Sequence, residues 1–430
     1  MTRLTAPAFS LAGIQWLLFM VVNTVVVPLS ISTAFGLSDD AAAGLIRTSF
    51  VVAGVVSLLQ ARFGHRFPLF EGHGGIWWGL MLSLSAAAPA MGLSYMEVGG
   101  SLALGMVLAG VLTIVLGAAG FTSVLQRIFT PVVLAIYLFL LSVQLILFFF
   151  KGMLGISDGG SLAMPEGLLP IGVAAAVLLM GLSRRRGIAN FSVLIGLIGG
   201  AVLYMLLIGG TPSVSAGGSL FRLFPLGGLH VHIGIMLTAF LAGLINMGNS
   251  LVAISTAGWL FGEKSVDGRI QASYYVTGAG TVIGGLFGLV PFGPYSSSIG
   301  FLQSTRIFNR GPFMLGSVLF ILMGLIPALG GFLSGLPEPI GAAVLFVAYI
   351  QLFGTAVHKI RELPFESMSL YRVTIPLLTG VSILNVPPET FRDFPVLIQP
   401  LVSNGLLVGV MLSIMMELWA GRRRARRASG

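Results

Sequence analysis

The chain has 430 residues, of which 56% are hydrophobic and only 9% charged. So few charges cannot cover a water-soluble globule of this length, which excludes a soluble protein and leaves a polytopic membrane protein without a separate soluble domain. The net charge of +9 comes from Arg and Lys scattered between apolar runs, so it reads as topology determinants rather than a nucleic-acid surface, and the absence of cysteine excludes disulfides and thiolate metal sites.

A helix needs about 20 residues to cross the hydrocarbon. Met1-Thr-Arg3 leads directly into a first apolar run without a signal-peptide cleavage pattern, so that run is expected to be retained. In chain order, spans are predicted at 9–27, 41–61, 68–88, 99–119, 131–150, 168–183, 190–208, 233–258, 271–290, 291–305, 312–333, 338–354, 371–387 and 397–420, fourteen in all. With both termini cytoplasmic, the inner side holds Arg62, Arg66, Arg127, Arg184, Arg185, Arg186, Lys264, Arg269, Arg306, Arg310, Lys359, Arg361, Arg372 and the tail Arg422 to Arg427. The outer side keeps only Arg47, Lys151, Arg222 and Arg392, the asymmetry that the positive-inside rule demands.

The longest weakly apolar gap, from Gly209 to His232, follows the seventh span, and an odd number of spans per half makes the halves inverted relative to each other. The predicted fold is therefore an all-α polytopic bundle in a 7+7 inverted repeat. Glycine-rich spans such as Gly110 to Gly120 point to close backbone approach between helices. The tail Gly421 to Arg427 is expected to meet anionic lipid headgroups.

The third span of each half is broken: Pro68 to Gly79 in the first, Pro291 to Gly300 in the second. Interrupted spans at corresponding places point to a midplane transport site. Of the acids, Asp39, Asp40, Glu97, Asp158, Glu166, Glu338, Glu389 and Asp393 fall in outer loops, and Glu263, Asp267, Glu362 and Glu366 in inner ones. Glu417 falls near the cytoplasmic end of the last span, which leaves Glu71 as the one deep carboxylate. Such a group is costly unless paired, protonated or hydrated, so it is a functional candidate. His73, two residues on, reads as the only histidine in an apolar context, and extended backbone would point both side chains to one side. One histidine and one carboxylate are too few ligands for a metal site. In the second break, Gly293 and Pro294 interrupt the helix while Ser296, Ser297 and Ser298 offer hydroxyls. The eighth span carries Asn246, Asn249 and Ser250 on one helical face, suited to a solute or to interhelical hydrogen bonds. The first span adds the amides of Gln15 and Asn23, and Trp16, Trp77 and Trp78 are candidates for stacking on a ring or lining an interface.

Gln15-Trp16, Asn23 to Pro28, Pro68 to Gly79 and Tyr295 to Arg306 together resemble the nucleobase/ascorbate transporter family, also called nucleobase:cation symporter-2, over nearly the whole chain and nearest to its purine-permease branch. Gly300, Thr305 and Arg306 keep the family signature after the second break, while Ser297 and Ser298 stand at its first two positions. The resemblance implies a core domain (1–120 and 233–333) that moves against a gate domain (121–232 and 334–420), a basic tail (421–430), short strands opening spans 3 and 10, and a homodimer in a bacterial inner membrane. It implies a nucleobase or related cyclic amide as solute, bound by Glu71, His73, Gly74, Gly75, Asn246, Asn249, Tyr295 and Ser296 to Ser298, with no cofactor and an ion gradient, protons, as driving force. The sequence departs from the family in span 8, where no acid lies between His232 and Phe261, and Trp16 follows Gln15 where a histidine is common. Glu71 with His73 is the substitute proton site this suggests. The rival readings are an anion transporter of related architecture using Arg306 and helix N-termini, a facilitator without proton coupling, and a receptor or membrane enzyme; no nucleophile, metal cluster or cofactor motif supports the last.

Overall fold

The computed structural model describes residues 5–156, 167–183, 186–209, 217–363 and 367–428. Asp158, Glu166, Arg184, Arg185 and Glu366 lie outside them. The first half contains α1 (Ala6–Thr24), α2 (Val26–Ala34), α3 (Asp39–Arg62), β1 (Glu71–His73), α4 (Gly75–Ala87), α5 (Tyr95–Ala118), the short α6 (Thr122–Ile128), α7 (Pro131–Met153), α8 (Leu168–Gly181) and α9 (Arg186–Leu207). The second contains α10 (Ile233–Leu260), α11 (Asp267–Phe287), β2 (Phe292–Pro294), α12 (Ser297–Thr305), α13 (Arg310–Leu325), α14 (Pro327–Ser334), α15 (Glu338–Arg361), α16 (Ser367–Leu384), α17 (Gln399–Val402) and α18 (Gly405–Ala428). Among the described residues, six stretches are long and apolar enough to cross a bilayer, counting α1 with α2, and a seventh is the pair α13 and α14 taken together.

Local chemistry sets many of these boundaries. The Ser38 hydroxyl accepts from the Ala41 N–H at the start of α3, and Ser94 and Glu97 form a reciprocal capping box at the start of α5. Thr130 caps α7, with Pro131 in its first turn. The predicted eleventh span is not one straight helix: α13 and α14 meet at 80°, because Pro327 removes a backbone donor and forces Ile326 into extended backbone.

The helices pack in two sets. α5 lies against α10 and α11, and α13 lies against α1 and α3; separately, α7 packs on α15 and α18, α16 on α18, and α8 on α9. Glycines allow the closest approaches. A Cβ on Gly110 would sit 2.6 Å from the Gly278 carbonyl oxygen, and one on Gly278 would sit 2.7 Å from that of Gly110, so α5 and α11 touch backbone to backbone. Arg47, counted above with the outer charges, is buried on α3 and donates to the carbonyls of Gly217, Gly218, Gly324 and Leu325, which ties the α13–α14 bend to α3.

Glu71 is not the only enclosed carboxylate. Glu417 on α18 is largely enclosed, its side chain 8% exposed, paired with Arg372 on α16 and accepting from the Thr130 hydroxyl. Its neighbour is a guanidinium, so the cost of burying the charge is offset there.

Candidate functional site

Both broken segments open as strands, and the two strands pair. β1 and β2 run antiparallel in the register Glu71↔Pro294, Gly72↔Gly293 and His73↔Phe292. The ladder is closed at both ends, by the Tyr295 N–H on the Phe70 carbonyl at 2.9 Å and the Gly74 N–H on the Pro291 carbonyl at 2.7 Å. Each strand therefore satisfies part of its backbone against the other, and surrounding side chains take the groups that face outward, as non-helical chain at membrane depth requires. Because the strands are antiparallel and each leads directly into a helix, α4 and α12 leave the crossing in opposite directions with both N-termini directed at it. Orphan N–H groups and the positive ends of two helix dipoles converge there.

Glycine is required at the centre of the crossing. A Cβ on Gly72 would lie 2.6 Å from the Tyr295 ring and 2.8 Å from that of Phe70. The Tyr295 hydroxyl spans the junction, donating to the carbonyls of His73 at 2.9 Å and Asn23 at 3.3 Å, which links β1 to the α1–α2 break. On the α10 side, the Asn246 amide donates to the Phe292 carbonyl at 3.1 Å, while its oxygen is buried without a partner 3.1 Å from where a Gly74 Cβ would stand.

The predicted site residues sort into distinct roles. Ser296 and Ser297 are exposed at the start of α12. Ser298 is buried, and its hydroxyl accepts the Phe70 N–H at 3.1 Å, so it supports the crossing. Asn249 is half-buried one turn from Asn246. Gly74 is the extended N-cap of α4, but Gly75 faces no open space: a Cβ there would meet Leu141 on α7 at 2.7 Å. His73 does not pair with Glu71; its Nδ1 bonds the Val290 carbonyl at 2.8 Å and its ring stacks on Phe292. Nor is His73 the only histidine in apolar surroundings. His65 has no exposed surface, and its Nε2 lies 3.2 Å from Glu71 Oε1. The chain turns back after α3 and tucks His65 beneath β1, a placement hidden in the sequence by the flanking Arg62 and Arg66.

Three further residues escape a reading built on charges and amides. Ser57 on α3 accepts the Glu71 N–H at 3.0 Å. Tyr137 on α7 and Tyr349 on α15 come within electrostatic reach of Tyr295, and the Tyr137 hydroxyl lies against the Ile76 backbone. The signal for the tyrosines is a lone phenol in each of the runs 131–150 and 338–354. Of the tryptophans, Trp78 donates to the Ser30 hydroxyl and meets Phe149 at a tilt and Tyr349 edge-on, whereas the Trp16 and Trp77 indole N–H groups are buried without partners. Arg306 is exposed at the C-terminal cap of α12, the opposite end from the crossing.

The molecule so described is a polytopic, mostly helical membrane protein, and its fold superposes on the transmembrane domain of the cyanobacterial bicarbonate transporter BicA with a TM-score of 0.61 at 13% identity, covering 98% of each chain. Residues 8–389 match the xanthine/uracil permease family, described simply as "Permease family", and the chain belongs to it. It is 29% identical to "Putative purine permease YwdJ" of Bacillus subtilis (strain 168) over 96% of this chain and 97% of that one. It is 26% identical to the uric acid permease PucJ of the same organism, over 98% and 94% respectively.

Proposed function

We propose that this permease is a secondary active transporter of a purine or related oxo-heterocycle, coupled to protons. The solute binds where β1 and β2 cross. The observation that carries this reading is the crossing itself, where two helix N-termini converge beside the unpartnered Asn246 oxygen and the exposed Ser296 and Ser297 hydroxyls. Gly74, Asn246, Asn249, Tyr295, Ser296 and Ser297 are the residues proposed to face the solute. Uric acid permeases among its relatives favour oxopurines as the solute class.

In this reading the fourteen predicted spans cross the membrane with both termini cytoplasmic. Residues 1–120 and 233–333 form a core that moves against a gate of 121–232 and 334–420. The separate packing of the two helix sets supports that division, and contacts such as Gln144 Nε2 donating to the Gly79 carbonyl would be remade during movement. The working unit is proposed to be a homodimer in a bacterial inner membrane. A thermal-shift screen over uric acid, xanthine, hypoxanthine, guanine, uracil and allantoin, followed by uptake of the stabilising compounds into proteoliposomes, tests the reading. Stabilisation and saturable uptake of at least one oxopurine are expected. Chloride or bicarbonate flux without nucleobase flux would replace it with an anion carrier.

A further inference from the structure

His65 and Glu71 form the one contact between ionisable side chains at the crossing, and solute binding makes no use of it. Both are without exposed surface. The Phe67 N–H donates to His65 Nδ1 at 3.0 Å, so Nδ1 is an acceptor and the ring proton sits on Nε2, from which it is donated to Glu71 Oε1 at 3.2 Å. Both ring nitrogens of His65 are thus engaged, and the free position of the pair is the carboxylate Oε2, which is buried and without a partner.

The groups around the pair leave Oε2 uncompensated. From α11, Arg269 donates to the His65 carbonyl at 3.4 Å, lies over the Phe67 ring and is paired with Glu263. Arg310 on α13 is turned to the Ala61 carbonyl, Arg66 is exposed, His73 is held by Val290, and α3 presents only the neutral Ser57 and Gln60. A carboxylate enclosed without a cation costs several kcal/mol.

We propose that Glu71 Oε2 is the proton-binding atom of the transport cycle and that His65 is a positioning residue, a neutral donor fixed in its tautomer by Phe67. This rests on the proton-coupled reading above and assigns its site. Proton uptake forms an O–H bond at Oε2 and takes the pair from one negative charge to none, the state that suits the closed crossing. Release to water breaks the same bond and leaves a charge that must be hydrated. The segment between α3 and β1 must then loosen toward solvent, which links proton release to opening of the site.

The test uses labelled xanthine and urate in proteoliposomes with and without a pH gradient. A gradient of about one unit sustains at most about tenfold accumulation for one proton per solute. Glu71→Gln, which keeps an acceptor for His65 but cannot titrate, is expected to show measurable solute exchange with an accumulation ratio near one. His65→Ala is expected to shift the pH midpoint of uptake by a unit or more, and His65→Gln, which restores an N–H donor of similar reach, to bring it back. Gradient-driven accumulation by Glu71→Gln equal to the unmodified protein, or identical pH profiles for His65→Ala and His65→Gln, would overturn the assignment. If neither xanthine nor urate stabilises or enters vesicles with the unmodified protein, the solute reading fails instead, a separate outcome seen before any variant is made.

Discussion

The two broken spans do the same geometric job with different chemistry. Each supplies one strand of the crossing and one helix N-terminus, yet β1 is lined by Glu71, His73 and the tucked-in His65, whereas the β2 segment brings prolines, glycine and hydroxyls. The first break is enclosed along its whole strand; the second ends in two exposed serines. The two halves thus differ in kind, with the ionisable groups in one and neutral hydroxyls in the other. The antiparallel ladder keeps the two together.

Damage to the ladder should give the largest effect, because both halves depend on it. Gly72→Val places a branched side chain where a single Cβ already stands 2.6 Å from the Tyr295 ring. Overpacking of this kind costs about 1–3 kcal/mol. A lower melting temperature in detergent, with loss of uptake, is expected; wild-type stability and transport would show that the strands do not meet as described.

The supports of the two strands come next. Ser57→Ala leaves the Glu71 N–H buried without its acceptor, and Ser298→Ala does the same to the Phe70 N–H. Each should cost about 1–3 kcal/mol, since a buried donor left unpaired loses its full desolvation energy. Ser298→Thr, which keeps the hydroxyl, should recover most of the loss, and equal destabilisation by alanine and threonine would point to packing instead. Tyr295→Phe should be milder, about 1 kcal/mol, the net worth of a typical hydrogen bond from the lost hydroxyl. A loss of several kcal/mol, read from denaturation midpoints, would mean that the phenol bears more of the junction.

Why some of this was legible in the sequence follows from what each feature is made of. Breaks rich in Gly and Pro announce themselves in apolar runs, so both interruptions and the place of Glu71 are legible directly, whereas the strands are what the family resemblance implies. The bend at Pro327 was equally visible in kind but was read as one span, because hydropathy is indifferent to direction. His65 was hidden because its neighbours Arg62 and Arg66 are solvent-facing; only the return of the chain beneath β1 buries it. Ser298 read as a solute ligand because a hydroxyl looks the same whether it faces a cavity or a backbone N–H. Tyr137 and Tyr349 are visible as lone phenols in apolar runs, but nothing in those runs says that they face the crossing.

The smallest effect on stability should come from the residues proposed to face the solute. Ser296 and Ser297 are exposed and donate to no group among the described residues, so alanine at either should change folding stability by no more than about 0.5 kcal/mol. Binding is another matter, because a hydroxyl bonded to a purine carbonyl or ring nitrogen contributes about 0.5–1.5 kcal/mol, or roughly two- to tenfold in affinity. Titration of urate or xanthine against each variant separates the two quantities. Weaker binding at unchanged stability would mark the second break as the solute-facing half. Unchanged affinity in both, with affinity lost instead in Asn246→Ala, would move the solute toward α10 and leave the serines as helix-start residues only.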